Sequence, residues 1–331
     1  MSGPETVGTV LAEIANLMVD GVRIFSLADK RHWGPDEHEQ VQALKAALNQ
    51  AKKDFQHLCP LVNGQAQYEH DRNYETIREL RLLRGRFLAH VQLLKDWGRS
   101  GGPINPIWIR ETQSLQQELH RAQCRAAGRI FTSLHESSQR CLGAFLVRRA
   151  QRAISARPVQ DMTDTMVEKR QLEELGACTQ VGSFNRFEDD VAFICDFCDG
   201  HLLWTDLENV PTRRTPPYRP TGRPNDAHWQ ATGLSSSAAE EKPVIFAPVV
   251  VANHMAPLHG DWQAKLTCPF CEEDSQQPQD KDDEEALYRP DDVFEDVAEL
   301  QAHLQWQHAG TSTLAGAPLA GLPASTGCSV M

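Results

Sequence analysis

Four residues near the C-terminal end have the types and spacing of a metal clamp: Cys268 and Cys271, then His303 and His308. A Cys-x-x-Cys knuckle grips one ion from one side. Two imidazoles about one helical turn apart on a common face can complete a tetrahedral Zn2+ site. A second knuckle, Cys195-Asp-Phe-Cys198, ends the apolar run Phe193-Ile194, with Gly200 for a tight backbone turn and His201 and Cys178 as nearby candidate ligands. Downstream, His254 and His259 flank Pro257, which forbids a helix between them, so the pair would ligate from a loop. The preferred second zinc set is therefore Cys195, Cys198, His254 and His259. A rival pools Cys195, Cys198, Cys268 and Cys271 into one four-cysteine ribbon, but it orphans His303 and His308. The plain alternative is a reduced surface knuckle beside ordinary loop histidines. Sites with four protein ligands and no open position are structural rather than catalytic. A hydrolytic centre at His254, His259 and Asp261 is the enzymatic alternative, and no carboxylate–histidine set elsewhere completes it. A non-enzymatic zinc protein is the expectation.

The apolar markers Phe294 and Leu300 stand ahead of His303 at the spacing that packs a small core under a helix. On these residues, 268–308 resembles a C2H2 zinc finger with Cys268, Cys271, His303 and His308 in the ligand positions. One feature departs from that family. It keeps a short turn after the second cysteine, whereas 22 residues separate Cys271 from Phe294 here. Fingers that read DNA use helix positions −1, 3 and 6, which fall on Asp296, Glu299 and Ala302. Two acids and an alanine cannot pair with guanine or adenine, and the acids repel phosphate. A protein partner is expected instead. The last four residues, Cys328-Ser-Val-Met, resemble a CaaX prenylation box, which implies a farnesyl group on Cys328 and a cytoplasmic membrane surface as a further partner. One lipid holds a protein to a membrane only reversibly unless a second signal assists. The general organisation also resembles uncharacterised proteins of filamentous fungi, a resemblance that implies no activity.

The elements that must position these residues fall into two compositions. Apolar stripes at helical spacing run over 7–25, from Pro35 to Leu58, over about 71–97, and from Leu115 through Cys141 to Phe145. They predict an antiparallel α-helical bundle over 1–160, with Cys59, Cys124 and Cys141 as small core hydrophobes. A linker helix spans 161–184, a zinc-stabilised α+β module 185–310, and a disordered Gly/Ala/Pro-rich tail 311–331. Between the knuckles, Arg214-x-x-Pro217-x-x-Pro220 has the spacing of an SH3 ligand, though a plain loop is the simpler reading.

Net charge is −12, distributed unevenly. Residues 72–157 carry 15 arginines and Lys95 against six acids, a local +10, while 272–299 carry 13 acids against Lys281 and Arg289, a local −11. The arginines read first as a solvated helix face, with anion binding or docking of the acidic run as alternatives. Two knuckles among nine cysteines suit a reducing compartment with metal sites better than a disulfide framework. No secretory signal or membrane-length apolar run is present, so the expected location is cytoplasmic and membrane-associated. A nuclear nucleic-acid-binding or transcription regulatory protein is the alternative.

Overall fold

A computed structural model of the protein describes residues 5–134, 140–157, 163–215, 229–258, 260–276 and 293–308. The described chain is mostly helical, with a few small sheets. Helix α1 (Val7–Leu27) starts where the Thr6 hydroxyl accepts the Thr9 N–H, and buries Val10, Ile14, Met18 and Phe25 on one stripe. Helix α2 (Pro35–Leu58) opens on a proline, and the buried Glu37 carboxylate receives the N–H groups of Gly34 and Ile104, both at 2.8 Å. After the short α3 (Gln65–Glu69), α4 (Tyr74–Ser100) is capped by Asn73, and α5 (Ile107–Leu134) follows. Helix α1 packs on α2 and α4, and α5 packs on the same two, so the four long helices close a ring.

The fourth apolar stripe does not continue to Phe145 as expected. Helix α5 ends at Leu134, and α6 (Leu142–Ser155) begins anew with Cys141 at its N-cap. The intervening sequence, His-Glu-Ser-Ser-Gln-Arg, holds no apolar residue, so a continuous stripe has nothing to bury there. Helix α7 (Asp164–Thr179) then packs on α6 and leads into an antiparallel sheet of β1 (Gly182–Phe187), β2 (Asp190–Cys195) and β3 (His201–Trp204). In that sheet Phe193 stands opposite Phe184 on one side and Leu202 on the other. Strands β4 (Gln230–Leu234) and β5 (Glu241–Ile245) pair with each other, and the apolar turn α8 (Ala247–Val251) is wholly buried. The last elements are β6 (Leu266–Thr267), α9 (Pro269–Gln276), β7 (Val293–Phe294) and α10 (Val297–Gln307), with β6 and β7 antiparallel.

One buried cluster runs from Val7 of α1 through Phe193 of β2 to Leu304 of α10, so helices and small sheets share a core. A smaller cluster of Phe25, Leu44, Leu94, Trp97 and Ile104 fills the far part of the helical ring. The arginine-rich face is a lattice of ion pairs. Arg81 and Arg84 hold Glu5, Arg84 also holds Glu13, Arg86 holds Glu118, Arg125 holds Glu79 and Asp199, and Arg121 holds Asp196. Among the described residues no helix is long and apolar enough to cross a membrane.

Candidate metal centres

Two groups of cysteine and histidine are assembled, and each could hold a metal ion: Cys141, Cys195, Cys198 and His254; and Cys268, Cys271, His303 and His308. Within each group one ligand atom per residue lies within 4.8 Å of all the others.

The second group is built from consecutive pieces. Cys268 follows the β6 strand and Cys271 sits in the first turn of α9, so the knuckle runs into a helix. Helix α10 is capped by Asp296, whose carboxylate accepts the Glu299 N–H at 2.8 Å, while Glu299 accepts the Glu295 N–H at 2.8 Å. Both acids at the would-be base-reading positions are thus engaged in starting the helix. Val297, Leu300 and Leu304 bury the inner face, which leaves His303 and the C-capping His308 turned to the knuckle. The Cys271 sulfur is 3.3 Å from Nε2 of both histidines, and the Cys268 sulfur is 3.6 Å from His308 Nε2. The Phe294 ring packs 4.7 Å from that of His303, and Phe270 packs 5.1 Å from His308. Burial pushes the Cys268 thiol up to about 12, so without a cation it stays protonated.

The first group gathers residues from three distant parts of the chain. The β2 strand delivers Cys195, and the knuckle returns through Asp199 at φ 54°, with the Asp199 N–H bound to the Cys195 carbonyl at 2.9 Å. The left-handed residue of this turn is thus Asp199, not Gly200. Gly200 matters for space instead: a Cβ there would lie 2.8 Å from Ala264 Cβ and 3.1 Å from the Cys198 sulfur. His254 follows the buried α8 turn, and its Nδ1–H donates to the Val251 carbonyl at 2.7 Å, which turns Nε2 toward Cys198 at 3.6 Å. Cys141 is the fourth member, 3.8 Å from the Cys195 sulfur, with its own N–H bound to the His254 carbonyl at 3.1 Å. Gly143 allows this approach, since a Cβ there would meet the Cys195 sulfur at 2.8 Å.

The thiols of this group respond to one another. Burial pushes the Cys141 thiol up, but hydrogen bonds from the Cys195 and Cys198 thiols and from the Gly143 and Ala144 N–H groups outweigh it. The thiol is held well below its ordinary value. Hydrogen bonds to its two partners, together with burial, hold Cys198 well above the ordinary thiol value, and burial raises Cys195. Three sulfurs and one imidazole nitrogen are a donor set that a soft divalent cation satisfies, the thiols giving up their protons as it binds.

The separation of the Cys141 and Cys195 sulfurs, and the sulfur–nitrogen separations in both groups, are close to the edges of a tetrahedral site. Metal–sulfur bonds of about 2.3 Å and metal–nitrogen bonds of about 2.0–2.1 Å place S···S edges at about 3.8 Å and S···N edges at about 3.6 Å. The observed S···S separation is 3.8 Å and the S···N separations are 3.3–3.6 Å.

A polar junction lies between the groups. Arg140 donates to Glu272 and, at 2.9 Å, to the Asn253 side-chain carbonyl. Arg148 donates to the same Asn253 oxygen at 2.8 Å and pairs with Glu272 at 3.2 Å and Glu273 at 3.6 Å. Each partner adjoins a ligand: Arg140 precedes Cys141, Asn253 precedes His254, and Glu272 follows Cys271. The head of the acidic run therefore docks on arginines of the chain's own basic segment.

Of the expected second set, Cys195, Cys198 and His254 come together, and His259 lies outside the described residues. Cys141, read from sequence as a core hydrophobe, completes the group. A usable signal was the polar run before Leu142-Gly143, which marks a helix start rather than a helix interior. The four-cysteine ribbon is not formed, because the two knuckles belong to different groups. His201 stacks edge-on against Trp262 and Cys178 is buried within α7; neither joins a group. His254 is fully buried among the cysteines while Asp261 is exposed, so the hydrolytic set is not assembled among the described residues. Arg214 is buried in a two-pronged ion pair with Glu174 at 2.8–2.9 Å and stacks 4.0 Å over Phe246, which withdraws it from the SH3-type reading; Pro217 and Pro220 lie outside the described residues. Cys328 and the tail also lie outside them. No family model matches this chain, and no curated protein or solved structure matches it either.

Proposed function

We propose that this protein is a non-catalytic, zinc-binding scaffold in which one zinc ion fastens the C-terminal sheets to the start of the arginine-bearing α6 and a second closes the unit 268–308. The observation that carries the reading is Cys141: a sulfur from the N-cap of α6 makes a set of four with residues otherwise drawn from 195–254. Four protein ligands with no open position leave no coordination site for substrate or water. Zinc fits better than a harder cation because three thiols and one imidazole in one group, and two of each in the other, match its ligand preferences. The second group keeps the C2H2-finger reading as a structural or protein-binding unit.

The finer reading is an adaptor that binds a protein partner and is carried to a cytoplasmic membrane face by a farnesyl group on Cys328. The CaaX-like tail supports it. The ion-paired arginines weigh against the nuclear alternative, since guanidiniums already matched by carboxylates contribute little to phosphate binding.

Metal analysis of the purified chain tests the zinc reading. Two Zn2+ per chain are expected, and Co2+ exchange should show tetrahedral thiolate spectra. A metal-free protein with unchanged melting would falsify it. Imaging an N-terminally tagged chain beside Cys328→Ser tests the adaptor reading, which predicts membrane-bound against diffuse protein.

A further inference from the structure

Helix α4 carries a second apolar stripe, on the side opposite its buried one. Leu80, Leu83, Phe87, Val91 and Leu94 face the core. The outward positions Tyr74, Arg78, Leu82, Gly85, Ala89, Leu93 and Asp96 recur at three- and four-residue steps and form one exposed line. Leu82 is 65% exposed, Leu93 43% and Tyr74 72%. On a helix that only faces water, these places are ordinarily polar.

From Arg78 to Asp96 the line is nearly symmetric about residue 87, with Tyr74 outside the symmetric part. Helix α4 spans Tyr74–Ser100, so its midpoint is residue 87. A two-fold axis through that point places Gly85 opposite Ala89 of a second copy, Leu82 beside Gln92 and Leu93, and Arg78 opposite Asp96. The small residues stand at the axis, where two helices must come closest. Among the described residues nothing accounts for Gly85, because a Cβ there would meet none of their atoms within 4 Å, and glycine inside a helix is otherwise destabilising. The flanking charges are already matched within the chain, Arg81 and Arg84 by Glu5 and Arg86 by Glu118. Arg78 has no ion pair among the described residues, and the exposed Asp96 carboxylate meets Arg99 one turn away at 3.5 Å and accepts the Gln92 amide at 3.0 Å, which leaves it oxygen lone pairs for a further cation. Antiparallel pairing also sets opposite helix-dipole ends against each other.

We propose that the outer face of α4 is a homodimer interface, in which two copies pack antiparallel about a two-fold axis at residue 87. A self-complementary charge order, an apolar line and small residues at the centre together specify a second copy rather than an unrelated helix. One helix pair lies at the small end of interface sizes, so a dissociation constant of about 1–100 µM is expected.

Sedimentation equilibrium on the reduced, metal-loaded full chain tests this. The wild type should pass from monomer to dimer between about 1 and 200 µM. Leu82→Glu should abolish the dimer. Arg78→Asp and Asp96→Arg should each weaken it about tenfold, because each sets like charges together twice per dimer. The double variant R78D/D96R should return to within about threefold of wild type, since it restores opposite charges in the same register. All three positions are exposed, so helicity and melting temperature should be unchanged, which separates lost association from lost folding. A wild type monomeric throughout overturns the proposal and leaves the stripe to another segment of this chain or a different partner. A dimer indifferent to Leu82→Glu places the interface elsewhere. A double variant no better than the singles overturns the antiparallel register.

Discussion

The two metal groups are built in opposite ways. Cys268, Cys271, His303 and His308 come from one stretch of about 40 residues, and their histidines remain half-buried at the end of α10. Cys141, Cys195, Cys198 and His254 span more than 100 residues, and three of the four are buried to 3% exposure or less. A local site closes a small unit that already lies near itself in the chain. A non-local site holds distant segments together, so its ligands sit where those segments meet. The difference lies in what an ion would fasten: in one group α10 to the knuckle after β6, in the other the start of α6 to β2 and to the turn after α8.

Removing one ligand at a time should separate the two groups most clearly. Cys141→Ala should reduce zinc from two ions to one and destabilise the whole chain by on the order of 5 kcal/mol, because site formation and folding are coupled. His303→Ala should also remove one zinc, yet leave the helical ring and its far-ultraviolet signal largely intact. Equal collapse in both variants would mean that the two groups support the fold alike. His259→Ala is the control, with two zinc ions retained; a drop to one would return His259 to the ligand set in place of Cys141.

Chelator kinetics sharpen the same contrast without mutation. Release from the second group should be faster by about tenfold or more, since its histidines reach solvent and its opening needs only local unfolding. Release should therefore be biphasic, with one ion per phase, and a single phase would mean that the groups open together.

A smaller effect belongs to the junction. Burial holds the Arg148 guanidinium down to about 10, with Arg140 beside it and Glu272 and Glu273 opposing. Arg148→Met should cost about 2–3 kcal/mol by leaving Glu272 and Asn253 underpaired in a buried setting. It should weaken zinc at both groups, because its partners adjoin a ligand of each.

The smallest effect is a pH dependence on the bundle side of the first group. His120 donates to Asp54 at 2.9 Å and faces Asp196, the neighbour of Cys195, at 3.8 Å. The hydrogen bond to Asp54 raises the His120 pKa above 6.5, against the opposing effect of burial. A raised pKa in the folded state means that the stabilisation is fully present below about pH 6.5 and fades as pH rises through the folded value. His120→Gln should therefore cost about 1 kcal/mol near pH 6 and less near pH 9, measured by denaturant unfolding. A cost independent of pH would assign His120 a packing role only.

Sequence by itself determined much of this protein. The long helices were legible from apolar stripes, because each buries one face over many turns and the period survives any later arrangement. The Cys268–His308 group was legible because its ligands and apolar markers lie at spacings set by local geometry. The β2 strand and its knuckle were readable from Phe193 to Cys198 for the same reason. Tertiary structure alone decided the rest. Cys141 carries no local mark of a ligand; it becomes one only because α6 restarts beside β2, with Gly143 leaving room for the Cys195 sulfur. The arginines could be counted in the sequence, but whether they face solvent or carboxylates depends on which helices meet. Arg214 looked like part of an extended proline-rich ligand until Glu174 and Phe246 enclosed it. Local spacing encodes what one element does alone, and contacts between elements distant in sequence leave no period to read.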